Sequence, residues 1–89
     1  MFEWDPEKNQ QNIAKHGVDF EDAKHIFGGY TIEFEDNRDD YGEERWCAFG
    51  EVKGHVMFVI YTWRGGAIRL ISARGATAGE RKRYYDHRH

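Results

Sequence analysis

Residues 56–74 read VMFVIYTWRGGAIRLISAR, and this stretch decides the fold. Its first part, Val56–Tyr61, is apolar throughout and rich in β-branched and aromatic residues, which is typical of a strand buried on both faces. Arg64-Gly65-Gly66 then has the composition of a tight turn, and residues 67–74 continue as a second strand. The stretch therefore predicts a hairpin whose first strand lies at the centre of a sheet.

Two further strands are predicted upstream of this hairpin. Residues 45–52 are expected to pair with the central strand across the short connection Lys53-Gly54-His55. Tyr30–Glu35 alternates between apolar and polar residues, which indicates a half-exposed edge strand. Residues 36–42 have the composition of a loop.

Helices are predicted at both ends of the chain. Asp5-Pro6 is a helix start and Gly17 a helix end; Asp19 opens a second helix that stops at Gly28-Gly29. The Thr77-x-x-Glu80 spacing of a capping box opens a C-terminal helix. The predicted fold class is α+β, a two-layer sandwich with two N-terminal helices, an antiparallel meander of three or four strands and a C-terminal helix.

Composition restricts the protein classes further. The 89 residues predict one domain spanning residues 1–89, and 16% aromatic content is too high for a disordered segment. A single cysteine, Cys47, excludes an intrachain disulfide and a multi-cysteine zinc site. No apolar run is long enough for a membrane span and the N-terminus does not resemble a signal peptide, so we expect a cytoplasmic protein.

Charge is distributed unevenly along the chain. The formal net charge is −3, but residues 1–51 carry −9 and residues 64–89 carry +5. A polyanion meets the local field rather than the sum, so the last third is a candidate surface for phosphate groups.

Arginines of the hairpin and the last helix are the candidate phosphate ligands, because the planar guanidinium offers paired donors to phosphate oxygens. Strand alternation places Arg74 on one face and Arg69 on the other. Arg64 lies at the preceding turn, and Arg81 lies on the last helix. The alternative is that Arg69 and Arg74 pair with acidic residues of the loop 36–40.

Two side chains are candidates for proton transfer. His16, at the end of the first helix, either caps that helix or moves a proton, since histidine is the residue best suited to proton transfer near neutral pH. Lys15 beside it adds affinity for anions. Glu44 either acts as a base or pairs with its neighbour Arg45.

For the remaining candidate residues a purely structural role is also considered. One of Tyr84 and Tyr85 is expected to pack under the last helix while the other reaches outward, where it contacts phosphate or a base. His87 and His89 are interpreted as part of a frayed tail. Cys47 is interpreted as a small buried hydrophobe.

Several segments in fixed order resemble the BrnT toxins of bacterial type II toxin–antitoxin systems. The resemblance covers nearly the whole chain. Its motifs are Phe2-Glu3-Trp4-Asp5-Pro6 with Lys8, Asn12 and Lys15-His16-Gly17, then Phe20, Ala23 and Phe27, then Tyr41-Gly42-Glu43-Glu44-Arg45, then Tyr61-Thr62-x-Arg64-Gly65, then Ile68-Arg69-Leu70-Ile71-Ser72-Ala73-Arg74, and finally Ala76-Thr77-x-x-Glu80-Arg81-x-x-Tyr84.

The resemblance implies a RelE-like fold and a ribonuclease that halts translation. It also implies neutralisation by a ribbon-helix-helix antitoxin of BrnA type in a hetero-oligomer, with operon DNA contacted only through the antitoxin. For cleavage without metal or cofactor, the expected catalytic residues are Arg64, Arg74, His16, Glu44 and Tyr84. The expected RNA-binding residues are Arg69, Lys15, Arg81 and Arg45.

Two other functions use the same basic surface. One is a non-catalytic module that binds nucleic acid or the ribosome, and its binding would fall steeply with salt. The other is an interaction protein whose basic face receives an acidic partner.

Overall fold

The computed structural model describes residues 1–88. Within this part of the chain there are three α-helices and five strands, and a 3₁₀ turn, Lys24–Gly28, follows the second helix. In chain order the elements are β1 (Phe2–Glu3), α1 (Pro6–His16), α2 (Phe20–Ala23), β2 (Thr31–Glu35), β3 (Trp46–Val52), β4 (His55–Arg64), β5 (Ala67–Gly75) and α3 (Ala78–His87). The predicted α+β class is confirmed.

The two N-terminal helices begin at the predicted residues. Asp5 accepts a hydrogen bond from a backbone N–H of the first turn of α1 at 2.8 Å, and Pro6 is the first helical residue. Gly17 ends α1 with a φ of 70°, a left-handed conformation in which a Cβ is unfavourable. Asp19 caps α2, which is shorter than predicted because the chain tightens into the 3₁₀ turn that ends at Gly28.

The five strands form one sheet in the order β1-β5-β4-β3-β2. Strands β2 to β5 are the predicted antiparallel meander, with β4 at the centre and β2 at one edge. Strand β1 pairs in parallel with β5 and was not predicted. The sheet has five strands rather than three or four, because a two-residue strand is too short to show any period in the sequence.

One face of the sheet, here called the first face, holds the main core. The helix α2 and the 3₁₀ turn pack on it, and Ile26 approaches β3 so closely that a Cβ on Gly50 would lie 2.5 Å from the Ile26 Cβ. The strand and the turn can meet at this distance only because residue 50 is glycine. The buried members of this core are Phe20, Ala23, Ile26, Ala48, Val52, Val59, Tyr61, Leu70 and Ala73.

A β-bulge in β5 interrupts the alternation of side chains. Ile60 and Tyr61 are consecutive in β4, but their partners Ser72 and Leu70 are not consecutive in β5. Ile71 is therefore an extra residue, opposite no residue of β4.

The bulge changes which residues of β5 share a face. Leu70 and Ala73 are three residues apart, yet both belong to the core of the first face. Arg69 and Arg74 consequently both lie on the opposite face, here called the second face. The prediction that they lie on different faces was wrong, because counting by twos assumes an unbroken ladder.

Asn12 closes the edge of β5 that β1 does not reach. Its Nδ2 donates to the carbonyl oxygens of Ala73 and Val18, both at 2.8 Å, and its Oδ1 accepts from the N–H of Ala73 at 3.1 Å. One side chain of α1 thus makes the hydrogen bonds that a neighbouring strand would make. Asn9, one turn earlier, accepts from the N–H of Phe20 at 2.9 Å.

The helix α3 lies over one end of the second face. The predicted capping box is present: Thr77 Oγ1 accepts from the N–H of Glu80, and the Glu80 carboxylate accepts from the N–H of Thr77. Tyr84 is the buried side chain of this helix. Because helices flank both faces, the predicted two-layer sandwich is corrected: α2 and the 3₁₀ turn pack on the first face, and α3 covers part of the second.

Candidate functional site

The uncovered part of the second face forms a groove of about 450 Å³ beside α3. Phe34, Phe49 and Phe58 come from three adjacent strands and form its aromatic floor. The ring centroids of Phe49 and Phe58 are 4.8 Å apart, and that of Phe34 lies 6.1 and 6.4 Å from them. The side chain of Phe34 is 44% exposed, so the floor is open to solvent at this strand.

Arg74 stands at the wall of the groove in a fixed orientation. Its guanidinium carbon lies 4.5 Å from the centroid of the Phe58 ring. Its Nη1 and Nη2 donate to the two carboxylate oxygens of Glu80 at 2.8 and 3.0 Å, and Nη1 also donates to the carbonyl of Gly75. Stacking and bidentate pairing together hold the guanidinium plane against the floor.

Glu80 connects this arginine to the start of α3. The guanidinium of Arg74, together with the N–H of Thr77, lowers the pKa of the Glu80 carboxyl to about 2, against the opposing effect of burial. Glu80 is therefore a permanent anion near neutral pH and acts by holding Arg74 rather than by donating a proton.

The opposite wall carries a second bidentate pair. Arg38 donates from Nε and Nη2 to the two carboxylate oxygens of Asp36 at 2.7 and 2.9 Å. The bonds from Arg38 lower the pKa of the Asp36 carboxyl to about 2. Asp36 itself is buried, while the Arg38 side chain is 61% exposed. A buried carboxylate therefore holds a guanidinium that faces solvent.

α3 contributes Arg83 and His87 to the rim of the groove. The Nδ1 of His87 lies 2.8 Å from the carbonyl oxygen of Arg83. A carbonyl can only accept, so Nδ1 carries the proton and Nε2 of the neutral ring is an acceptor. The expectation that His87 belongs to a frayed tail was wrong, because it is the last residue of α3; His89 lies outside the described residues.

Tyr84 lines the groove with its ring but has its hydroxyl turned away. The side chain is 1% exposed, and its hydroxyl donates to the carbonyl of Tyr30 at 2.8 Å. Burial raises the pKa of the Tyr84 phenol. Tyr85 reaches outward and donates to Glu51. The prediction that one tyrosine packs under the helix and the other reaches outward is confirmed.

The other arginines of the second face lie at its far end, around Thr62. Arg45 and Arg64 both approach the carboxylate of Glu43, at 3.7 and 3.6 Å. Arg69 sits opposite Thr62 and donates to Glu3 at 2.6 Å. The alternative that Arg69 and Arg74 pair with the acidic loop was wrong, because each has a carboxylate partner elsewhere.

The structure does not bring Arg64 and Arg74 together. Arg64 lies opposite Ala67 and Arg74 lies opposite Phe58, so six residues of β4 separate them. At the rise of a strand this is roughly 20 Å. They share a face, but they cannot contact one phosphate.

The remaining predicted residues lie outside the groove. His16 and Arg81 line a separate cleft of about 510 Å³ with His55, and the Arg81 guanidinium donates to the carbonyl of Ala76. Lys15 lines a shallow depression beside the bulge in β5. The Glu44 side chain is exposed next to Trp63.

Of the residues that line the groove, only Arg74 and Tyr84 were predicted site residues. The charged or titratable groups that were missed include Arg38, Glu80, Arg83 and His87. The sequence contains a pattern that could have identified Glu80, because the capping box places this residue six positions after Arg74, at the start of the helix that follows the strand. No sequence pattern identifies Arg38, because its position depends on how a loop folds back across the sheet.

Within residues 1–88 no three His, Cys, Asp or Glu side chains are grouped so as to hold a metal ion. In the same part of the chain no helix is long and apolar enough to cross a membrane.

A comparison with curated proteins gives no match. The family model of BrnT, the ribonuclease toxin of type II toxin–antitoxin systems, matches residues 4–80, which include β5, Arg74 and Glu80. This range is most of the 89-residue chain. The chain therefore belongs to the BrnT family of ribonuclease toxins.

Proposed function

We propose that this toxin cleaves RNA without a metal ion, on the second face of its sheet, and thereby arrests translation. The observation that carries the proposal is the guanidinium of Arg74, held by Glu80 and stacked on Phe58 at the wall of an open groove. We further propose that residues 1–89 form one RelE-like domain that acts in the cytoplasm.

Arg74 is the group proposed to stabilise the transition state. Attack of the 2′-hydroxyl on the adjacent phosphate concentrates negative charge on the phosphoryl oxygens, and a preorganised cation lowers that barrier. A guanidinium has five N–H donors. The bonds to Gly75 and Glu80 use both N–H groups of Nη1 and one of Nη2, which leaves the Nε–H and the other Nη2 N–H for a phosphate.

Proton transfer is assigned to His87 in preference to His16 and Glu44. His87 is the imidazole that lines the groove, and its Nε2 is an acceptor in the neutral ring. His16 and Glu44 line other clefts. In the same way, the buried hydroxyl of Tyr84 favours a packing role for that residue.

Arg45, Arg64 and Arg69 are proposed to bind the RNA backbone beyond the cleavage point. They lie on the same face as Arg74, further along the strands, so an extended RNA strand can contact both groups in turn. Lys15 and Arg81 are exposed on neighbouring surfaces and add to the positive field that attracts RNA.

The family implies an antitoxin partner and an RNA substrate. We propose that the antitoxin is a ribbon-helix-helix protein of BrnA type and that it forms a hetero-oligomer with the toxin. The antitoxin alone contacts operon DNA. The exposed arginines and aromatic floor of the second face are the surface that it would need to cover to block RNA.

The test is cleavage of RNA by the purified chain in EDTA. Arg74→Ala is expected to lower the rate about 10²- to 10³-fold, because one preorganised donor to the transition state is lost. Lys82→Ala is the matched control, since Lys82 is an exposed cation of α3 that pairs with Asp86 and not with any residue of the groove. Translation of a reporter in a cell-free extract should follow the same order.

Three results would contradict the proposal. If the Arg74→Ala variant cleaves RNA as fast as the Lys82→Ala variant, Arg74 is not part of the catalytic site. Cleavage that EDTA abolishes and Mg²⁺ restores removes the metal-free mechanism. His87→Ala with full activity, beside inactive His16→Ala, moves proton transfer to the other cleft.

A further inference from the structure

The aromatic floor of the groove has an open ring surface that no side chain of the described residues covers. Arg74 stacks on Phe58 and packing within the sheet half-buries Phe49, but Phe34 remains 44% exposed on the edge strand β2. An exposed phenylalanine beside two others is a surface on which a flat ring can stack.

The charged groups around the groove cancel. Arg74 is paired with Glu80 and Arg38 with Asp36. Arg83 and Glu35 also line the groove, and their charges are opposite. Neither a strongly anionic nor a strongly cationic occupant is favoured by this balance. The guanidinium groups stand at the walls and the apolar rings at the base, which fits an uncharged ring whose attached phosphate lies at the rim.

We propose that the Phe34 ring is a stacking platform for one unpaired nucleobase of the RNA, next to the phosphate that Arg74 binds. The inference rests on the proposed function, which it deepens by naming the substrate as single-stranded RNA. A base in a duplex has both faces covered by its neighbours, so it cannot stack on a protein ring without leaving the helix.

The position of Phe34 supports a platform that accepts any base. Every base has a π-face, so stacking on an aromatic side chain is tolerant of sequence. Asp36, a carboxylate of the groove two residues after Phe34, is buried and has both oxygens bonded to Arg38. It is therefore already paired and is not available to read the edge of a base.

The experiment measures binding of labelled 2′-O-methyl oligoribonucleotides, which cannot be cleaved through the 2′-oxygen. Three probes of equal length are compared: an unpaired strand, the same strand in a duplex, and a strand with abasic positions. Phe34→Leu is compared with Trp63→Leu, because Trp63 is an exposed aromatic residue directed to the first face. Cleavage of unmodified RNA is measured in parallel.

The wild-type chain should bind the unpaired strand about 5- to 100-fold more tightly than the abasic strand, the range expected for one stacked base. Phe34→Leu should remove most of this difference, and Trp63→Leu should keep it. Equal binding of all three probes by the wild type overturns the platform. A Phe34→Leu variant that still prefers the unpaired strand over the abasic strand also overturns the platform. This holds even if the antitoxin no longer inhibits that variant.

The two proposals fail in different ways. Cleavage that persists without any preference for unpaired bases overturns the platform and leaves the ribonuclease site. Discrimination that depends on Phe34 without any cleavage overturns the ribonuclease site and leaves the platform. Absence of binding to every probe together with absence of cleavage overturns both.

Discussion

The two faces of the sheet differ in how deeply their side chains are buried. On the first face Leu70 is 2% exposed and Phe20 is fully buried, and the helices leave no open surface over them. On the second face Phe34 is 44% exposed, and Arg64, Arg69 and Arg74 extend from β4 and β5. The same strands supply both faces, so side-chain alternation separates the residues that hold the fold together from those available to a ligand.

Polar groups differ between the faces in the same way. Asn12, at the β5 edge beside the core, bonds only to backbone groups. Arg74 and Arg38, on the second face, bond to carboxylates through exposed guanidinium groups. The first arrangement fixes the backbone, and the second keeps a cation in place while leaving some of its donors free.

The largest expected effect on stability comes from the first face. Leu70→Ala should lower the free energy of unfolding by about 2–5 kcal/mol, because it leaves a cavity in a closed core. Phe34→Ala, on the second face, should cost less than about 1 kcal/mol although it removes a larger side chain. Urea denaturation of both variants measures the difference. Equal losses would show that the faces do not differ.

The next effect separates backbone-fixing polar groups from exposed ones. Asn12→Asp should lower stability by about 1–3 kcal/mol, because a carboxylate cannot donate to the carbonyls of Ala73 and Val18. The loss should shrink at acid pH, where the protonated carboxyl regains one donor. Asn37→Asp, in an exposed loop position, is the control. Similar losses in both variants would contradict the role given to Asn12.

The smallest effect concerns acid stability on the second face. The pKa of Glu80 is about 2 in the folded chain against an ordinary 4.5, so its ion pair contributes stability above pH 4.5 that is lost as the pH falls towards 2. Since Arg74 is one-third exposed, solvent screening reduces this contribution to about 1 kcal/mol. Glu80→Gln should flatten the stability profile in that window, whereas Glu7→Gln, an exposed control, should keep the wild-type slope.

The local elements were predictable because their signals are local. Asp5-Pro6, Gly17 and the Thr77–Glu80 capping box each set a helix boundary through groups within a few residues, and the structure has all three. The apolar run Val56–Tyr61 likewise gave the central strand, because a strand buried on both faces has no polar position.

The site was less predictable because it depends on long-range geometry. The bulge at Ile71 places Arg69 on the face opposite to the one predicted, and no sequence pattern predicts this bulge. The strand pattern and the family resemblance grouped Arg64 with Arg74, although strand register places them roughly 20 Å apart. The pairing of Arg74 with Glu80 follows only once the turn between β5 and α3 is known.

The side chain of Asn12 has a consequence for self-association. A strand edge with free N–H and C=O groups invites another chain to pair with it, and this sheet has two such edges. At Ala73 the asparagine occupies those groups, so β5 is blocked to an incoming strand there. At the opposite edge, β2 carries Glu33 and Glu35, whose like charges oppose pairing with a second copy of the same strand. One edge is thus protected by a hydrogen-bonding side chain and the other by charge, which keeps the sheet of a small toxin from growing by strand addition.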